Sequence, residues 1–145
     1  AGSTLGLAAA SAFGSTIALL VRAGVGPGQR VTVERLVAAV DCGRIVNPGL
    51  VRQQVEGALI WALGQATAPA PEWLGGRPVA RPLSAIGLPS MAKVPKIDIL
   101  LVPGSDAPGG INGLGALPLA PAVANAIFAA TGKRMRSLPF DPMGA

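Results

Sequence analysis

The residues GGINGLG, Gly109 to Gly115, put four glycines into seven positions and lead directly into an apolar stretch. Such a segment lets main chain come very close to a neighbour, and its N–H groups can serve an anion or a cofactor. It cannot supply acid–base chemistry of its own. No Asp or Glu occurs between Ala107 and Ala130, and the nearest upstream carboxylate is Asp106. The chain has no His and a single cysteine, Cys42. That excludes an imidazole-activated nucleophile, His-ligated zinc, an all-cysteine metal site and an internal disulfide. Chemistry must come from a bound cofactor, from a carboxylate, or from residues on another segment. A dinucleotide-binding fingerprint is excluded as well. Gly113-Leu114-Gly115-Ala116-Leu117-Pro118 lacks the third glycine, and no acidic residue follows about 20 positions on.

The rest of the composition says what kind of body must position this loop. Charged residues make up 13% of the chain, against about 25% in a typical soluble domain. With 20 Gly and 14 Pro, this predicts a loop-rich piece whose surface is covered by a larger body, and the chain reads as a section of a longer one. The net charge of +5 is scattered, apart from Lys133-Arg134-Met135-Arg136. That cluster follows an expected helix end, where cations complement free carbonyls. It carries no interleaved aromatic residues, so no nucleic-acid partner is expected. Residues 1–21 are uncharged but interrupted by Gly, Ser and Thr. A membrane span, which needs about 20 mainly apolar residues, is not expected there; a buried pair of strands is.

Along the chain, Thr16 to Val21 is a short apolar run and Gly24 to Gly28 a turn. Arg30 to Val40 then alternates, which together predicts an antiparallel hairpin ending at Asp41-Cys42-Gly43. Asn47-Pro48 is a helix start, Asn as N-cap and Pro in the first helical position. Val51, Val55, Leu59 and Ala62 recur at helical spacing, and the helix is expected to end near Ala66. Residues 67–95 hold six prolines and predict an extended segment on a surface, anchored by Trp73, Leu83, Ile86, Leu88 and Met91. Lys96 to Val102 reads as a buried strand by its β-branched content. A second helix is expected over Ala120 to Ala130, with Pro121 in its first turn and Gly132 as its cap. The order β-β-α-β-α gives an α+β fold: a small mixed sheet, with an N-terminal antiparallel hairpin and two packed helices.

Three stretches resemble one family. They are Ala12 to Ser15 (AFGS), Val40 to Gly64 (VDCGRIVNPGLVRQQVEGALIWALG) and Ala107 to Pro139 (APGGINGLGALPLAPAVANAIFAATGKRMRSLP). Together they are similar to the large molybdopterin-binding subunits of the xanthine dehydrogenase/aldehyde oxidase family, in the isoquinoline 1-oxidoreductase-like branch. The resemblance implies that residues 1–145 are the C-terminal portion of a molybdopterin-binding domain. It implies a molybdenum hydroxylase acting on aldehydes or N-heterocycles. The cofactor would be molybdopterin, in some bacterial members extended as a cytosine dinucleotide. Its partners would be the remainder of the large subunit and a small 2Fe–2S subunit carrying the iron–sulfur clusters.

Residue by residue, Gln54 matches the family glutamine whose amide bonds near the pterin. Gly109, Gly110, Ile111, Asn112 and Gly113 match the loop that passes beneath the metal, where backbone N–H groups can reach the cofactor. Cys42 and Asn47 match structural positions. The family's catalytic glutamate falls on Gly113, and Leu114 stands in place of the following proline. Three readings follow: part of a working oxidoreductase whose base comes from another residue or whose substrate needs none, a non-catalytic piece that binds cofactor or stabilises an assembly, or an independent soluble α+β domain of unrelated function.

Overall fold

The computed structural model describes residues 2–80, 82, 87 and 89–140. Strands β1 (Thr4–Ala12), β2 (Ser15–Val25) and β3 (Val31–Asp41) form an antiparallel meander. Helix α1 (Pro48–Thr67) follows, then a two-residue ladder of β4 (Trp73–Leu74) with β5 (Arg77–Pro78). Strand β6 (Lys96–Leu101) joins the main sheet parallel to β3, giving the order β1-β2-β3-β6, and α2 (Ala116–Thr131) closes the unit. The mixed sheet with two helices is the expected α+β arrangement.

Alternation decides which face of the sheet is core. Ile17, Leu19 and Val21 on β2 are in register with Val40, Ala38 and Leu36 on β3, and all six are buried. The phase slips once. Arg22 pairs with Arg35 and Ala23 with Val33, so Glu34 is an extra residue in the ladder, and Glu34 and Arg35 are both exposed. This bulge is why Val31 and Val33 fall out of step with Leu36, Ala38 and Val40. Against the inner face lie Val51, Val55, Leu59 and Leu63 of α1 and Leu119, Ala122, Val123, Ala126 and Ile127 of α2.

Helix α1 starts as its sequence dictates. Asn47 is extended, and its Oδ1 accepts from Leu50 N–H at 3.1 Å. The C-terminal tail covers the other end, where Phe140 N–H donates to Ala66 O at 2.8 Å.

Several expectations need correction. β1 and β2 are the pair of strands expected at the N-terminus, but the pair is not buried throughout: β1 is a half-exposed edge with Leu5 and Leu7 in the open. β6 is also a half-exposed edge, with Leu100 60% exposed; its β-branched residues serve a single buried face. α2 begins four residues before the expected Ala120, so Pro118 occupies the first turn and Pro121 lies inside the helix. Pro121 removes a bond to Leu117 O, and Leu117 is half-exposed, where solvent can replace it. Of the proposed anchors in the proline-rich segment, Trp73 and Met91 are exposed; Leu83, Ile86 and Leu88 lie outside the described residues.

Candidate functional site

The glycine loop is fastened at three places. Gly109 N–H donates to Cys42 O at 2.9 Å, tying it to the turn after β3. Gly110 N–H donates to Phe13 O at 2.8 Å, tying it to the β1–β2 turn. Only glycine fits at the first crossing, because a Cβ on Gly109 would collide with Ser15 Oγ and lie 2.5 Å from Gly14 O. At the far end Gly115 rests on α1, where a Cβ would sit 2.9 Å from Val55 O and 3.3 Å from Ala58 Cβ.

Between these fastenings runs Ile111-Asn112-Gly113. Among the described residues, no hydrogen bond engages the N–H groups of these three. Ile111 packs half-buried against the core, while Asn112 and Gly113 are exposed. Gly113 has φ of +70°, with nothing within 4 Å of where a Cβ would be. The five loop residues singled out in the sequence therefore divide by role. Gly109 and Gly110 spend their N–H groups holding the loop in place. Ile111, Asn112 and Gly113 keep theirs free, just before the N-terminus of α2, whose dipole favours negative charge.

Gln54 is exposed on α1. It precedes Val55 and stands one turn before Ala58, two of the three residues that a Cβ on Gly115 would meet, Leu59 being the third. Positions four apart share a helix face, so Gln54 lies on the same face of α1 as Ala58, which Gly115 meets. Cys42 is not available for chemistry: it is 4% exposed, and burial first, then the Asp41 charge, push its thiol above the ordinary 9.0. Its carbonyl holds Gly109 instead.

Two neighbours of the loop had no assigned role in the sequence reading, although AFGS was among the matching stretches. Phe13 is 69% exposed and adopts φ of +57°. Ser15 is buried, and its hydroxyl makes no hydrogen bond. Both sit at the loop's crossing with the β1–β2 turn.

No cluster of three His, Cys, Asp or Glu exists among the described residues. What is exposed is the amide of Gln54 and the free main-chain N–H groups of residues 111–113, donors and acceptors of the kind a heterocyclic cofactor uses; the Ser15 hydroxyl is enclosed. Among the described residues, no helix is long and apolar enough to cross a membrane.

Comparison with known proteins agrees. A model of the molybdopterin cofactor-binding domain matches residues 26–95, which include α1 and Gln54. The chain is 36% identical over 112 residues to a membrane-bound aldehyde dehydrogenase (pyrroloquinoline-quinone) of Gluconacetobacter polyoxogenes, a match covering 77% of this chain and 14% of that protein. It is 33% identical over 112 residues to the isoquinoline 1-oxidoreductase subunit beta of Brevundimonas diminuta, again over 77% and 14%. The solved aldehyde oxidoreductase from Desulfovibrio desulfuricans ATCC 27774 is similar with a TM-score of 0.62 and 30% identity, over 86% of this chain and 14% of that one. The chain thus spans 14% of the length of each of these relatives. Cofactor-binding model, relatives and architecture converge: the chain belongs to the xanthine dehydrogenase/aldehyde oxidase family, as a stretch of its molybdopterin-binding subunit.

Proposed function

We propose that this stretch, as the C-terminal portion of the larger subunit, holds one side of the molybdopterin in a molybdenum hydroxylase. The carrying observation is the loop 109–115. It is fixed at Cys42, Phe13 and α1, so that three adjacent main-chain N–H groups stay free beside the helix of Gln54. Rigid fastening on both sides pre-organises those donors, and little ordering remains to be done when a ligand arrives. Gln54 contributes an amide that can donate and accept at once. Bound in this cradle, molybdopterin would supply two-electron oxidation of an aldehyde or an N-heterocycle, with a small 2Fe–2S subunit as the partner that would take up the electrons. The protein's share is binding and orientation.

The test uses the full-length chain, produced in a host that makes the cofactor. Molybdenum and released pterin should be present near one per chain. Gln54→Ala should lower retained pterin about tenfold, the scale of one hydrogen bond left unmade. Pyrroloquinoline quinone without molybdenum would overturn the reading, and so would a Gln54→Ala protein that keeps its full complement.

A second reading, cofactor binding without turnover, is favoured by the absence of any carboxylate between Ala107 and Ala130. A positioned general base contributes about 10²–10⁴-fold. Gly113→Glu separates the two: a Cβ there has open space, but φ of +70° strains any side chain, so the variant's unfolding midpoint is measured beside its activity and Gly113→Gln serves as the strain control. A protein inert toward aldehydes and N-heterocycles that gains dye reduction with Glu at this position was non-catalytic. An active protein slowed no more by Gly113→Glu than by Gly113→Gln does not take its base from this position.

A further inference from the structure

We propose that the Phe13-Gly14-Ser15 turn is a second wall of the cofactor cradle. Phe13 contacts the bound pterin group directly, and Ser15 acts as a positioning residue beneath the loop. The inference rests on the molybdopterin reading above and adds residues to it.

Three irregular features coincide at this turn. Phe13 holds φ of +57°, a region that bulky side chains avoid because Cβ crowds the neighbouring carbonyl. With Gly14 at φ of +73°, both central residues of the β1–β2 hairpin turn are left-handed, the pattern for which Asn-Gly is the favoured sequence. Phe13 gains no burial in return, since 69% of it is exposed. Ser15, next along, has a fully enclosed hydroxyl with no partner, an arrangement disfavoured in a packed protein. Strain retained at one spot without local compensation points to a use in another state of the molecule.

The neighbours identify that use. Phe13 Cβ and Cγ lie 2.9 and 3.6 Å from where a Cβ on Gly110 would stand, so the ring flanks the loop just before Ile111-Asn112-Gly113. An exposed aromatic face beside free N–H donors suits a flat heterocycle, which can stack and hydrogen-bond together. Ser15 Oγ is packed under Gly109. It sets the depth of the loop from below.

Two substitutions in the full-length chain test this, each read for both stability and cofactor content. Phe13→Asn installs the turn's preferred residue, and Ser15→Ala removes an unpartnered hydroxyl. Both should leave the unfolding midpoint of the cofactor-free protein unchanged or raised. Both should nonetheless lower retained molybdenum and pterin by about five- to tenfold, as for one lost contact. Full retention by both variants overturns the proposal while leaving the molybdopterin reading intact. A fall in cofactor that merely tracks a lowered midpoint also overturns it, since the turn would then be structural only. A wild-type chain that holds no pterin defeats the molybdopterin reading and this inference together.

Discussion

Cys42 shows how one side chain can be reactive by type and inert by place. Its thiol is enclosed where β3 ends, and both burial and Asp41 disfavour the thiolate. A raised folded-state value means that the neutral thiol is favoured in the native protein. The associated stability is fully present below the ordinary value of 9.0 and declines as pH rises past it, because the unfolded chain then releases its proton first. Two measurements check this. A thiol reagent at neutral pH should modify Cys42 only in denaturant, and Cys42→Ala should flatten the loss of stability above pH 9.0. Rapid labelling of the native chain would contradict the assignment. Gln54 has the opposite character: its surroundings leave it exposed and free, so its value lies in what it can reach.

Among the elements, the closest fit is between β1 and α2. Thr4 Oγ1 donates to Ala126 O at 2.5 Å, and Asn125 Nδ2 donates to Leu7 O at 3.0 Å. Between these contacts Gly6 lies so near the helix that a Cβ would collide with Ala122 O and Ala126 N. Backbone atoms in a helix have no rotamer through which to yield. Gly6→Ala should therefore destabilise the chain by about 3 kcal/mol, at the upper end of overpacking effects, as measured by urea unfolding. A loss below about 1 kcal/mol would show that α2 can slide on the sheet. The contact also bears on the cradle, since α2 carries the loop's far end at its N-terminus. Just past the helix, Arg134 stacks 3.7 Å over the Phe128 ring, giving one of the basic residues a local partner.

At the scale of the whole fold, both helices pack on one face of the sheet, and among the described residues no helix covers the other. Leu7, Leu20 and Val37 lie abreast across β1, β2 and β3, and Ala9, Ala18, Ala39 and Leu100 form the next row. Leu5, Leu7 and Leu100 are 58%, 60% and 60% exposed. Contiguous apolar surface of this kind on an isolated chain drives association. The isolated 145 residues should self-associate in light scattering, and Leu7→Lys with Leu100→Lys should return them to monomer. A monomeric parent chain would mean that the bare face is tolerated in water.

What the amino-acid order settled by itself was local. Asn47-Pro48 made a capped helix start, Gly132 a left-handed helix stop, and the 3.6- and 2-residue periodicities fixed one buried face on each of α1, β2 and β3. The absence of His, with one Cys, limited the chemistry to a bound cofactor, a carboxylate or residues on another segment, and the GGINGLG run marked where main chain would be open. These features depend on residues within a few positions of one another, so a linear reading captures them. Other outcomes depended on contacts between distant segments. The half-exposure of β6 follows from its place at the sheet edge beside β3. The early start of α2 follows from Gly115 docking on Val55 and Ala58. The division of the loop into committed and free N–H groups was set by Cys42 and Phe13, which lie 67 and 97 residues before Gly109 and Gly110. No spacing in the sequence carries such pairings, because each arises only when packing brings the donor of one segment to the acceptor of another.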